Sequence, residues 1–356
     1  MKVKELVKNV FILLLPAFVV TIIFLELVFR FVIPANQSPY YIFDTKDNLM
    51  KMSTEPFSDG VSTLGPLAQV RARWHINNEG WNSNFDYKEN HDKPVIALFG
   101  ASLIEATIVD VNQSVSAKLH EMLHGEYYSY SFGIAGATLS NMLHTSRYAV
   151  KKFSPDVLVF NVTPGLILPS SCADNGFPGF MCLEPRGDEF SETVKPYIPK
   201  SAYRLIRKSA VVRYLYHNIG VQKLVLRFLY AEKKETPRNV IDNDSARIRI
   251  KKERILDYIL KSIKNENKDK VVVMYSNSGE GVEGYSDDEF DMVKESCHKY
   301  GIHFVNLGKE LSDIEKKYGK KVDFGFDAHW NAFGHESVAK IIYGELKKMN
   351  IIRGLK

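Results

Sequence analysis

The sequence predicts a doubly wound α/β fold: a five-stranded parallel sheet with helices on both faces, preceded by an N-terminal membrane-spanning helix. Three observations predict it. Five short runs rich in β-branched and aromatic residues follow one another along the chain. Amphipathic stretches of helical length separate them, and one long apolar run precedes them all.

The apolar run extends from Val10 to Ile33, with no charge before Glu26. As a helix it would span about 36 Å at ~1.5 Å per residue, enough to cross a bilayer. Glu26 and Arg30 are spaced to pair on one helix face. Lys2, Lys4 and Lys8 place the N-terminus on the cytoplasmic side and the rest of the chain outside. A cleaved signal peptide is the competing reading; the run exceeds a usual signal core, and Ile33-Pro34-Ala35 is a poor cleavage site. Residues 1–33 are thus expected to be a short cytoplasmic tail and an uncleaved anchor.

A polar linker at Pro34–Pro39 follows. Tyr40–Asn90 is rich in turn residues, so 34–93 reads as a linker and irregular lead-in. The main domain is expected over 94–356. Its strands are Pro94–Phe99, Glu126–Phe132, Asp156–Asn161, Lys270–Tyr275 and Ile302–Asn306. Helical spacing marks Gln113–Leu123, Thr138–Phe153, Asp287–Tyr300 and Gly334–Met349. An insertion at about 168–268 interrupts the alternation, and within it Ala202–Tyr230 and Ser245–Asn265 read as basic helices. It serves either as a cap near the strand ends or as a structural flank.

With 45% hydrophobic and 25% charged residues in 356 positions, the composition is globular and argues against disorder. The net charge of +5 is modest, but from Lys195 to Lys270 there are 20 Lys/Arg against 8 Asp/Glu. That local excess suits a solvated helix face, anionic lipid headgroups or an acidic glycan, and no nucleic-acid partner is expected. The three cysteines do not make a metal set. Cys172 and Cys182 either form a disulfide, which would suit an oxidising compartment, or stay as thiols.

In an open parallel sheet, ligands bind at the carboxyl ends of strands. Gly100-Ala101-Ser102 follows the first strand, where a serine would expose its hydroxyl beside helix N-terminal amides. A serine there could also serve only as a helix cap. Gly133-Ile134-Ala135-Gly136 after the second strand supplies a tight turn. Near the C-terminus, Asp327-Ala328-His329 precedes the last helix, so that His329 could take a proton from Ser102 while Asp327 fixes the imidazole.

On these residues the sequence resembles the SGNH/GDSL hydrolase superfamily, from about Ile76 to the C-terminus apart from the basic insertion. Ile76-Asn77-Asn78-Glu79-Gly80-Trp81 looks like the lead-in of membrane-anchored members, as does the Glu26/Arg30 pair at the end of the span. Val95–Asp110 is similar to the serine block and Asp110-Val111-Asn112-Gln113-Ser114 to its sequel. The resemblance implies a flavodoxin-like sheet, Ser102 as nucleophile, His329 as base and Asp327 as its partner. It also implies an oxyanion hole from Ser102 and Gly136. Ala101 replaces the family's aspartate. Gly165 stands where the family's oxyanion asparagine would, with Asn161 and Asn175 as candidate substitutes.

The function expected is that of a membrane-anchored esterase or O-acyltransferase. Its substrates would be acyl esters, acetyl first, of an extracytoplasmic glycan, or lipid esters. It would work through an acyl-serine without metal or organic cofactor. The alternative is a glycan-binding or assembly subunit that keeps the fold without turnover.

Overall fold

The structure is a computed structural model that describes residues 2–55, 58–174, 177–187, 189–198, 207–221, 242–267, 270–276 and 287–352. The chain divides into two compact units. One comprises Met1–Ser38, Gly60–Ala72 and Pro199–Pro237; the other comprises Pro39–Asp59, Arg73–Ile198 and Arg238–Lys356. This division differs from the expected boundaries, because part of the insertion groups with the N-terminal helix while its last helix belongs with the sheet.

In the first unit, α1 (Lys2–Leu27) continues as a π-helical segment, Val28–Val32. From Phe11 to Val32 the helix is long and apolar enough to cross a membrane, and almost all of its large apolar side chains are exposed. An apolar helix left so exposed is consistent with a signal sequence or a single membrane anchor.

The lead-in is not irregular. β1 (Tyr40–Asp44) pairs antiparallel with β2 (Leu49–Ser53), and β3 (Asp59–Leu64) pairs with β4 (Val70–His75). The β2 strand was hard to read in the sequence because Lys51 lies inside with its neighbours, its ammonium bonded to Asp44 at 3.0 Å and to Asp47. A buried lysine survives only when paired. Next comes Asn77, whose side-chain Oδ1 accepts from the backbone N–H groups of Glu79 and Trp81, each at 3.0 Å. That turn seats the fully buried Trp81 edge-on against Phe132.

The sheet contains β5 (Val95–Gly100), β6 (Tyr128–Gly133), β7 (Val157–Val162), and then, beyond the β8 (Met181–Arg186) and β9 (Glu189–Val194) hairpin, β10 (Val271–Tyr275) and β11 (His303–Asn306). In space they run β6-β5-β7-β10-β11, all parallel. Numbered by chain order within the sheet this is 2-1-3-4-5, the flavodoxin-like doubly wound arrangement. Alternate strand residues serve opposite layers. Ala97, Phe99, Leu158 and Phe160 join one core; Ile96, Leu98, Val157 and Val159 join the other.

The first core is covered by α4 (Leu139–Phe153), α6 (Asp242–Asn267) and α7 (Asp287–Lys299); the second by α3 (Val115–Met122), α8 (Leu307–Tyr318) and α9 (Ala332–Lys348). Two short helices also occur among the described residues, α2 (Ser102–Glu105) and α5 (Ala210–Arg213). The helix of the insertion expected at Ser245–Asn265 is α6. It buries Ile255, Leu256, Ile259, Leu260 and Ile263, so it is the crossover that the parallel neighbours β7 and β10 require. Of the helix expected at Ala202–Tyr230, only 207–221 lies within the described residues. Cys172 and Cys182 are bonded, with Cα atoms 4.8 Å apart, and Cys297 is a buried thiol.

Candidate active site

Ser102 opens α2 at the carboxyl end of β5, beside the point where the strand order reverses. The helix is only four residues long, yet Leu103 and Ile104 anchor it in the second core. Ala106, in the left-handed conformation at φ +58°, ends it. The backbone approaches so closely that a Cβ on Gly133 would lie 2.1 Å from the Glu105 nitrogen. The serine turn and the glycine turn are therefore packed backbone to backbone.

His329 arrives from the loop before α9. Asp323 and Trp330 form a bridge across that loop, and the Asn331 side chain caps α9 by accepting from the Gly334 amide at 3.0 Å. The other end of the same amide donates to the carbonyls of Lys321 (2.9 Å) and Asp323 (2.5 Å). Trp330 is buried against the second core, which fixes the half-buried His329 beside it.

The structure brings three of the expected residues together. His329 Nε2 lies 2.8 Å from Ser102 Oγ, and His329 Nδ1 bonds to Asp327 Oδ1. The same carboxylate oxygen accepts from the His329 backbone N–H at 2.9 Å, so a two-residue spacing suffices to bring acid and imidazole together. A carboxylate on Nδ1 holds the proton there and leaves the Nε2 lone pair facing the serine hydroxyl.

Gly136, at φ +78°, lies on an exposed turn beyond β6, a conformation that favours glycine. Asn161 is fully buried on β7. Its Oδ1 accepts from Ser276 Oγ at 2.8 Å, and its Nδ2 has no hydrogen-bond partner among the described residues. Gly165 has no side-chain donor, and its own N–H is committed to Glu289 Oε2 at 2.8 Å. Asn175 lies outside the described residues. Phe177, on the disulfide-closed loop, stands over Gly136: a Cβ there would meet its ring at 3.6 Å.

Sequence reading assigned no role to Glu105. It is 1% exposed, accepts from the Ala135 backbone N–H on one oxygen, and bonds to Tyr41 Oη at 2.5 Å on the other. Asn82 Nδ2 donates to its backbone carbonyl at 2.8 Å. Burial pushes the Glu105 carboxyl up to about 7, against the opposing pull of Tyr41, the Ala135 amide and the nearby His329. The signal was an acid in the otherwise apolar Leu103-Ile104-Glu105-Ala106 block. His335, also fully buried, accepts the Val115 N–H on Nδ1 at 3.2 Å, and burial with the neighbouring His329 lowers it to about 3. Among the described residues no cluster of three His, Cys, Asp or Glu side chains could hold a metal ion.

The fold is an α/β fold with a five-stranded parallel sheet. Solved structures similar to the chain include esterases and lipases, matching over about 72% of its length. They include a lipase/acylhydrolase from Enterococcus faecalis, at 11% identity and TM-score 0.39, covering 72% of this chain and 96% of that one. A carbohydrate acetylesterase from Sinorhizobium meliloti has 10% identity and TM-score 0.37, covering 72% and 100%. A two-domain esterase active on acetylated mannans has 11% identity and TM-score 0.40, covering 73% and 50%. No protein-family model and no curated protein matches the sequence. The strand order, not these loose likenesses, carries the fold assignment.

Proposed function

We propose that the protein is a membrane-anchored serine esterase or O-acyltransferase acting on acyl esters, acetyl first, of an extracytoplasmic glycan. One observation carries the chemistry: Ser102 Oγ, His329 Nε2 and Asp327 are joined in one hydrogen-bonded line. In this reading Ser102 Oγ attacks the ester carbonyl as its proton passes to His329 Nε2. The charge that develops on the carbonyl oxygen meets the N–H groups of Ser102, first in its helix, and of Gly136. His329 then protonates the departing alkoxide, which leaves an acyl-Ser102. Water or a sugar hydroxyl then attacks that ester, giving its proton to His329, and the acyl–Oγ bond breaks as His329 returns the proton to Ser102 Oγ, releasing the free acid or the new ester.

The glycan assignment is supported by two exposed aromatic rings, Phe177 beside Gly136 and Phe326 next in sequence to Asp327, each of which suits a sugar ring. Acetylesterases among the similar folds agree with it. Residues 1–33 serve as cytoplasmic tail and anchor in this reading, and the site faces outward. A second reading, a glycan-binding or assembly subunit without turnover, is favoured by Gly165, which offers neither a side-chain donor nor a free N–H.

Labelling of the full chain with a fluorophosphonate probe, together with acetate release from acetylated glycans, separates the two. Wild type labels and releases acetate in the first reading. If it labels no better than Ser102→Ala and releases no acetate, the catalytic reading is wrong.

A further inference from the structure

Glu26 is a carboxylate inside the apolar span, six residues before its end at Val32, or about 9 Å along the axis at ~1.5 Å per residue. A charge at that depth needs partners. It has them. Its Oε1 accepts from the Ala210 N–H at 2.9 Å and from Arg30, and its Oε2 accepts from Ser209 Oγ at 2.9 Å and the Val211 N–H at 3.1 Å. Arg30 reaches on to the Lys208 carbonyl at 2.8 Å. The carboxylate thus satisfies the orphan amides that open α5, amides which lipid could not satisfy.

The segment that begins there runs Ala210–Arg213 and on through a π-helical turn, Tyr214–Asn218. One side of it is fixed to its own unit. Tyr214 stacks on Phe29 with ring centroids 3.7 Å apart, and its hydroxyl donates to the Pro66 carbonyl at 2.9 Å. The buried Asn218 donates to Thr63 Oγ1 (3.0 Å) and the Gly65 carbonyl (3.1 Å), and accepts from the Asn36 N–H at 3.1 Å. The other side shows Val212, Leu215, Tyr216 and Ile219, each between 38% and 48% exposed. These positions are three, one and three residues apart, so they make one stripe, and none is charged.

Resting on the reading of α1 as a membrane anchor, we propose that the segment 210–219 lies in the outer-leaflet interface. There the Val212, Leu215, Tyr216 and Ile219 stripe faces acyl chains. The occupant is lipid because the stripe continues a surface that already faces lipid: it is joined through Glu26, Phe29 and Arg30 to the last turns of the span, where Leu27, Phe31 and Val32 are exposed. Its start at the depth of Glu26 matches the ~5–10 Å at which amphipathic helices settle in the headgroup boundary. Tyr216 is an aromatic suited to that level, and the exposed Lys208 stands at the segment's start, where a cation can meet headgroup phosphates. The chain would then hold the bilayer at two places, which fixes the anchor's rotation and depth as a lone helix cannot.

The test places nitroxide labels on the full chain in phosphatidylglycerol-containing vesicles, at Leu215→Cys and Ile219→Cys. Val20→Cys serves as the reference for the span and Glu310→Cys as the reference for water. The native cysteines do not compete, being bonded or buried. Collision with dissolved oxygen should be high at 215 and 219, as at 20, while collision with a water-soluble nickel chelate falls several-fold below its value at 310. Water-like collision at 215 and 219 with lipid-like collision at 20 overturns this inference and leaves the anchor standing. Water-like collision at 20 as well removes the anchor and this inference with it. Low collision with both reagents at 215 and 219 shows protein covering the stripe and overturns it in favour of a second copy or another partner.

Discussion

Ser102 Oγ and His329 Nε2 stand 2.8 Å apart although 227 positions of chain separate them. Two unrelated local devices meet there, a four-residue helix at a strand end and a capped loop before the last helix. If that meeting is catalytic, Ser102→Ala and His329→Ala should each lower acetate release by about 10⁴–10⁶. Near-complete loss of fluorophosphonate labelling should accompany the first. Unchanged thermal unfolding of both variants would show that the loss is chemical and not structural.

Asp327→Asn tests the tautomer. An asparagine in that place can still accept the His329 backbone N–H, but its amide would donate to Nδ1 and move the ring proton to Nε2. That nitrogen could no longer take the serine proton. The expected loss in kcat is about 10²–10⁴, with KM little changed. An equal fall in affinity for substrate would instead mean that the loop had moved.

The sheet was legible because its strands are buried on both faces and so read as compact β-branched and aromatic runs, each falling within a few residues of its place. Ser102, Asp327 and His329 were legible as types of residue at strand and helix ends; their distances were not. Glu105 was passed over because its value lies in partners remote in sequence, Tyr41 and Ala135, that only the fold supplies. The β1–β2 hairpin was missed for a related reason: Lys51 looks like a surface residue until Asp44 and Asp47 are seen around it. The Glu26 carboxylate likewise read only as a partner for Arg30, since nothing local announces that it caps a helix beginning at Ala210.

Two glycines on the same turn should fail differently. An alanine Cβ at Gly133 would meet the Glu105 nitrogen at 2.1 Å and the Ile104 carbonyl carbon at 2.5 Å, both backbone atoms that cannot swing away. Gly133→Ala should cost about 3 kcal/mol or more and lower expression and Tm together. At Gly136 the nearest neighbour is the Phe177 ring at an ordinary 3.6 Å, so the cost is conformational, from φ +78°. Gly136→Ala should lose about 1–2 kcal/mol of stability. It should also lose about 10²–10³ in kcat if its N–H serves the oxyanion.

The Cys172–Cys182 bond closes the loop that sets Phe177 over Gly136. Replacing both cysteines by serine should lower stability by about 2–3 kcal/mol for a loop of this length. The more telling outcome is kinetic. If Phe177 forms a wall for substrate, the double variant and Phe177→Ala should both raise KM for a glycan ester while leaving hydrolysis of a small aryl acetate nearly unchanged.

Glu105 gives the sharpest dependence on pH. Its carboxyl titrates near 7 in the folded chain against 4.5 when unfolded. Between those values the folded state holds the proton and the unfolded state does not, so stability falls as pH rises through the window and levels off above it. Glutamine keeps a carbonyl acceptor for the Ala135 N–H and puts an NH2 where Glu105 accepts from the Tyr41 hydroxyl, which can turn to accept from it, and it carries no charge to desolvate. Glu105→Gln should therefore match wild type near pH 4 and exceed it at pH 8 by on the order of 3 kcal/mol. His335 opposes this trend in both proteins. Its folded pKa is depressed to about 3, so its stabilising contribution is present above the unfolded value of 6.5 and is lost as pH falls below it. The difference between the two unfolding curves cancels that term and isolates Glu105. A difference constant from pH 4 to pH 8 would show that the carboxyl does not titrate in this window. Should the variant gain stability at pH 8 while losing activity, the buried charge is retained for the set of the Ala135–Gly136 turn and not for the fold.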